Sequence, residues 1–286
     1  MNERNTSVWL PALAVLGFGA ALPVWAQADT TATFEVASIK RHLEERSGYR
    51  LPRFSNDRFT FSGPLLQLVA AAYGLPFNPS HRLSGGPEWL LGQESMYDVD
   101  AKGSFPKGLT SSAREERRKL MLQALLRDRF RLSIRRDTKE MPAYVLVVDK
   151  GGPKLEKAAV SEEACAEGNV DVQIPCHQFN GGRGRGLHAS AVTVADLVGY
   201  VENWTDRPLL DKTGITGLYK IETQPFLPMD VAVSPPPAGT KGEAGIDLAD
   251  LPTVFQVFER LGLKMKPQKE KVDTFVIQDI QKPTEN

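Results

Sequence analysis

The chain has 286 residues, 41% hydrophobic and 24% charged, the balance of a globular protein with a core rather than of a disordered one. Lys plus Arg and Asp plus Glu stand at 35 each, so the formal net charge is zero. Nucleic-acid binding rests on phosphate neutralisation and leaves a basic excess; the even balance speaks against it.

Residues 1–28 read as a secretory targeting segment. Arg4 gives a positive start, residues 8–25 are an almost unbroken apolar run, and Ala26-Gln27-Ala28 fits the small-x-small cleavage rule, with Val24-Trp25-Ala26 as a second site. Cleavage after Ala28 or Ala26 is expected to leave a periplasmic or secreted chain with no transmembrane helix. Because a spanning helix needs about 20 apolar residues, retention of the run as an anchor is the alternative.

Residues 29–150 read as a first α+β module. Phe59 and Phe61 alternate with polar neighbours as a strand does. Ser62 is placed to cap the following helix, Pro64 suits its first turn and Gly74 its end. Tyr97 to Ala101 predicts a second strand. Ser112-Ala113-Arg114-Glu115 has the capping-box pattern, and Glu115 and Lys119 have helical i,i+4 spacing. Met121, Leu122, Leu125 and Leu126 form that helix's apolar side. Phe130, Leu132 and Ile134 then alternate with Arg131, Ser133 and Arg135. A turn at Asp137-Thr138-Lys139-Glu140 is expected to lead back through Tyr144 to Val148 as an antiparallel hairpin.

Residues 151–186 form a Gly-rich connector holding the only cysteines, Cys165 and Cys176. Export favours a disulfide. Free thiols are an alternative, as is a metal site of Cys165, Cys176, His177 and His188, although that spacing matches no common zinc pattern. The run from Gly181 to Gly186, GGRGRG, reads as flexible chain, with anion contact as its functional alternative.

Residues 187–286 read as a second module. Thr193 and Asp196 cap a helix whose apolar side is Leu197, Val198 and Val201. Asp211-Lys212-Thr213-Gly214 reads as a tight turn between two strands. Residues 225–245, with three consecutive prolines, read as a surface loop. Leu251-Pro252-Thr253 opens a helix carrying Val254, Val257, Phe258 and Leu261.

The modules resemble each other. Residues 130–148 (FRLSIRRDTKEMPAYVLVV) lie over residues 261–279 (LGLKMKPQKEKVDTFVIQD) at a constant offset of 131. Residues 97–100 resemble residues 219–222, and residues 64–68 resemble residues 193–197, in the same order. The fold expected is α+β: two tandem diverged copies of a strand-helix-strand-helix-strand-strand module with antiparallel hairpins.

No catalytic constellation emerges. Asp211-Lys212-Thr213 matches fragments of phosphoryl-transfer and penicillin-binding motifs without their companions. Ser104-Phe105-Pro106-Lys107 fits Ser-x-x-Lys by letters, but Pro106 breaks the helix that motif needs. His42, His81, His177 and His188 show no zinc-protease spacing. By residue type alone, an enzyme would draw on Asp211, Lys212 and His188. No cofactor is implied. Arg131 and Arg135 in the first module, with Lys264 and Lys266 in the second, would form two outward basic strips. They suit an anionic surface or acidic peptide; the partner expected is an envelope protein or an anionic envelope polymer.

Residues 34–41 (FEVASIKR), 84–90 (SGGPEWL), 97–103 (YDVDAKG), 120–155, 207–221 (RPLLDKTGITGLYKI) and 257–286 together resemble the soil-associated family of secreted proteins of unknown function. The resemblance covers nearly all of the chain after the targeting segment. It implies an extracytoplasmic sensing or interaction role, since similar domains are fused to membrane metallopeptidases of the β-lactam-sensor type. It carries no catalytic residue onto this chain; the alternatives to a binding or sensing role are a structural envelope component and an enzyme with an unrecognised site.

Overall fold

The computed structural model describes residues 32–42, 50–55, 57–77, 81–167, 171–182, 185–227, 229, 239–241 and 245–283. The targeting segment, Arg183, Gly184 and most of the proline-rich stretch lie outside them. Among the described residues no helix is long and apolar enough to cross a membrane. The fold is α+β, with antiparallel sheets and several helices.

The first sheet joins β1 (Val36–Arg41), β2 (Arg50–Ser55), β3 (Arg58–Pro64) and β5 (Met96–Lys102) in the order β1-β5-β3-β2, every neighbour antiparallel. Side chains alternate across a strand. Phe59, Phe61, Val99 and Ala101 therefore face a core with α1 (Leu65–Ala72) and α2 (Ser111–Phe130), while Thr60, Ser62, Asp98 and Asp100 face away. Ser62 does not cap α1. Pro64 holds the N-cap position without a side-chain bond, and the Ser62 hydroxyl donates to Asp98 across the sheet. Helix α2 is capped by Thr110, whose hydroxyl accepts from Ala113 N–H, two residues earlier than the Ser112 pattern suggests. Glu115 pairs with Arg118 at 3.2 Å rather than with Lys119, which pairs with Glu116.

The second sheet corrects the hairpin expectation. Strand β6 (Ser133–Val148) runs without a turn, antiparallel to β12 (Leu263–Asp279), from Leu263↔Val148 to Asp279↔Ser133. Residues 137–140 contain no glycine and none takes a positive φ, so nothing there meets the demand of a tight turn. Each finds a ladder partner on β12 instead. The left-handed bend falls earlier, at Arg131 (φ 53°), which closes α2 and is not part of the strand. Short strands β4 (Leu83–Gly85) and β10 (Leu209–Asp211) flank the ribbon in the order β10-β6-β12-β4. Strand β4 runs parallel to β12 at Leu83↔Phe275, and β10 runs parallel to β6 at Leu209↔Tyr144.

The third sheet joins β7 (Glu156–Lys157), β8 (Asn180–Gly181), β9 (Leu187–Val192) and β11 (Tyr219–Glu222) in the order β7-β11-β9-β8. Its core packs Leu187, Ala189 and Ile221 with α4 (Val194–Val201) and α5 (Val254–Arg260). Both helices begin with full capping boxes, Thr193 with Asp196 and Thr253 with Gln256. The connector is thus more than a flexible linker: it supplies both edge strands of this sheet and α3 (Glu162–Glu167).

Candidate functional site

The outer face of the first sheet is an open concavity of about 600 Å³. Its lining alternates with the core residues of the same strands, so the pattern that buries Phe59 and Phe61 also presents Arg58, Thr60 and Ser62. The ladder sets its geometry. Lys40 on β1 pairs with Asp98 on β5, Asp98 with Ser62 on β3, and Ser62 with Arg50 on β2. The four side chains form one row across the sheet. Three interstrand spacings separate its ends, roughly 14 Å.

Inside the row, Asp98 is already engaged. It accepts from the Ser62 hydroxyl, and His42 Nδ1 lies 3.0 Å from its Oδ1. In the next row Arg58 holds Asp100 with two hydrogen bonds and keeps its carboxyl below the usual range. Lys102 lies 3.5 Å from Asp57. Lys40 and Arg50, both exposed at the two ends, have no ion-pair partner among the described residues. The face therefore offers two uncommitted cations around a neutralised centre with hydroxyls from Ser38, Thr60 and Ser62.

The third sheet is built otherwise on its outer side. Cys165 and Cys176 form a disulfide, which removes the free-thiol and metal alternatives because neither sulfur is left to ligate. The segment it anchors lies against β9. Ile174 N–H donates to the Ser190 hydroxyl at 3.1 Å and His177 N–H to Ala191 C=O at 2.8 Å. His177 sits between two carboxylates, Asp196 at 2.8 Å and Glu162 at 3.3 Å. The Asp196 hydrogen bond leads the effects that raise its pKa above the ordinary imidazole value. The Asp196 carboxyl lies below its usual range because His177 and the Thr193 cap outweigh the cost of its burial.

The other sequence-selected residues lie apart. Asp211 Oδ1 accepts from Thr213 N–H and hydroxyl, at 2.8 and 2.7 Å, which makes the DKTG stretch a side-chain-closed turn with Gly214 and Gly217 at positive φ. Lys212 pairs with Glu270 at 3.6 Å and His188 with Glu222 at 2.6 Å. Arg135 pairs with Asp137. Arg135, Lys264 and Lys266 share one face of the ribbon by ladder parity, but Arg135 is opposite Val276 and Lys266 opposite Val145. The two basic positions are about 33 Å apart along the strand. No sequence motif singles out Lys40, Arg50, Arg58, Asp98 or Asp100. The signal was present in the polar partners of the Phe59/Phe61 alternation and in Tyr97-Asp98-Val99-Asp100, but the strand order that unites them leaves no local trace.

Residues 66–280 match the family described as "Protein of unknown function (DUF3738)". No curated protein and no solved structure matches the chain.

Proposed function

The chain belongs to the family described as a protein of unknown function (DUF3738), and on that premise we propose that it is an exported, non-enzymatic binding module of two diverged copies. The open face of the first sheet is its ligand surface, and its partner is an anionic envelope component. One observation carries this reading. The first and third sheets have the same strand order, β1-β5-β3-β2 and β7-β11-β9-β8; in the third a disulfide-held segment meets β9 at Ser190 and Ala191, whereas the first presents an open concavity with Lys40 and Arg50 at its ends.

The duplication is supported by the ribbon register. Glu140 pairs with Lys271, 131 positions on, and the parallel contacts at Tyr144 and Phe275 are likewise 131 apart. The ladder thus relates each half to the other by a local two-fold passing near Glu140 and Lys271. Export is supported by the targeting pattern and the disulfide. A soil-bacterial setting and a sensing role belong to the same proposal and are supported by the sequence resemblance alone.

The test is co-sedimentation of the mature chain, from Asp29, with an envelope fraction at rising salt. Retention that falls with salt, and is lost in Lys40→Glu/Arg50→Glu, is expected. Retention indifferent to both variants contradicts the proposed surface. The exposed basic residues Arg131, at the end of α2, and Arg135, Lys264 and Lys266, on the ribbon, are a second reading, favoured by the exposure of all four; under it Lys264→Glu/Lys266→Glu abolishes retention instead.

A further inference from the structure

Two segments of the connector are joined twice. Helix α3 begins after Ser161, whose hydroxyl accepts from Ala164 N–H and whose carbonyl accepts from Cys165 N–H. Glu162 and Cys165 are three residues apart and so share one face of that helix. Cys165 is bonded to Cys176, and His177 follows directly. Its N–H donates to Ala191 C=O at 2.8 Å, which continues the β8–β9 register along the edge of the third sheet. Its φ of 59° is a left-handed backbone that a residue other than glycine keeps only where its surroundings hold it. The bridge thus brings Glu162 beside the ring, with Oε2 3.3 Å from Nε2.

The ring has a fixed side and a conditional side. Asp196 Oδ2 accepts from the Thr193 N–H and hydroxyl, both at 2.8 Å, within the cap of α4. An ionised carboxylate only accepts, so His177 Nδ1, 2.8 Å away, is the donor. In the neutral ring this leaves Nε2 as a bare lone pair facing Glu162. Nε2 and Glu162 Oε1 are both buried, and neither has a hydrogen-bond partner among the described residues. Two acceptors that face each other away from water are penalised. In the imidazolium Nε2 carries a proton, and the same contact becomes an ion pair. Asp196 from α4 and Glu162 from α3 are the charged groups acting on the ring. Glu163 is exposed and bonds Ser161 instead, Asp171 is exposed, and β9 contributes Ser190 and Ala191, which carry no charge.

We propose that Glu162, His177 and Asp196 form a protonation-dependent clasp, parallel to the disulfide, that holds α3 to the edge segment of the third sheet. The imidazolium closes it, and the neutral ring opens it at Glu162. The bond to Asp196 is available in both states, so α3 is the part that lifts. Cys165–Cys176 keeps it tethered, and its departure loosens the segment to which it is bonded. The Asp196 hydrogen bond leads the effects that raise the His177 pKa. The clasp is therefore shut at acid pH and opens as pH rises through that raised value.

The experiment is hydrogen–deuterium exchange of the mature full chain from Asp29 at pH 5 and pH 8, corrected for intrinsic exchange and read at residues 161–167. Protection there is expected to fall by about tenfold in the native chain, with the ribbon of β6 and β12 unchanged. In Glu162→Gln the fall is expected to vanish, because a carboxamide donates to the neutral ring and accepts from the charged one. Cys165→Ser/Cys176→Ser removes the covalent link and is expected to show a larger fall than the native chain. No fall in the native chain overturns the clasp. An equal fall in Glu162→Gln assigns the change to another group and overturns it too. A double-serine variant whose fall only matches the native one overturns the parallel role of the disulfide.

Discussion

Arg82 and Glu202 show how one pair can join distant parts of the chain. The guanidinium and carboxylate approach to 3.4 Å, with side chains 17% and 7% exposed. Arg82 Nε also donates to Asp273 C=O, and Arg82 C=O accepts from Phe275 N–H. Burial raises the Glu202 pKa despite the pull of Arg82. Removing the cation leaves an uncompensated buried acid, a loss of about 3 kcal/mol by analogy with other buried pairs. Arg82→Met is therefore expected to destabilise more than Glu202→Gln in chemical denaturation, and more at pH 8 than at pH 5. A raised carboxyl favours the folded state at low pH and that advantage is lost as pH rises. Equal losses at both pH values would contradict this. His177 has the same sign for a different reason. Its raised pKa gives stability that is full below the ordinary imidazole range and is lost as pH rises through the folded value. Hydrogen exchange at residues 171–179 is expected to speed up across that rise in the native chain and to be pH-independent, beyond intrinsic exchange, in His177→Ala.

Glycines and the disulfide decide the outcome at the scale of elements. Gly262 joins α5 to β12 at φ 70°, and a Cβ there would lie 2.1 Å from Gly152 C=O. Gly108 has a similar φ of 76° with open space around it. Both Ala variants carry left-handed strain, about 1 kcal/mol, but only Gly262→Ala must also displace backbone. A clearly lower melting temperature for Gly262→Ala than for Gly108→Ala is expected; equality would show that the α5–β12 corner relaxes freely. The Cys165–Cys176 bridge closes a short loop, sequence separation 11, so its removal should cost at most about 3 kcal/mol on the chain-entropy model. Cys165→Ser/Cys176→Ser is expected to fold and to expose residues 171–179 to protease first. Much of this scale was legible in the sequence. Alternation at Phe59 and Phe61 placed β3, and the Thr193/Asp196 and Thr253 signals placed two helix starts. The hairpin was not, because Asp137 to Glu140 reads as polar turn residues until the partner strand on β12 is known. Thr110 was missed as a cap because Ser112 and Glu115 matched a familiar spacing nearby.

Strand pairs far apart in sequence tie the described residues together. Strand β4 completes the ribbon at β12 and β10 completes it at β6, so neither long strand is satisfied by its own half. Residues 31–286 form one compact unit, and a single calorimetric transition is expected; two separate transitions would show halves that melt independently. The 131-residue offset between residues 130–148 and 261–279 is legible in the sequence, yet the site is not. Lys40, Asp98, Ser62 and Arg50 come from four strands whose order is β1-β5-β3-β2, and only long-range pairing aligns them.

The most direct measurement is hydrogen–deuterium exchange of the mature chain with and without an anionic polymer such as polygalacturonate. Protection confined to residues 36–41, 50–55, 58–64 and 96–102, with the third sheet unchanged, is the predicted result. Protection along β6 and β12 instead, or none anywhere, would contradict the claim that the open face of the first sheet is where this protein binds.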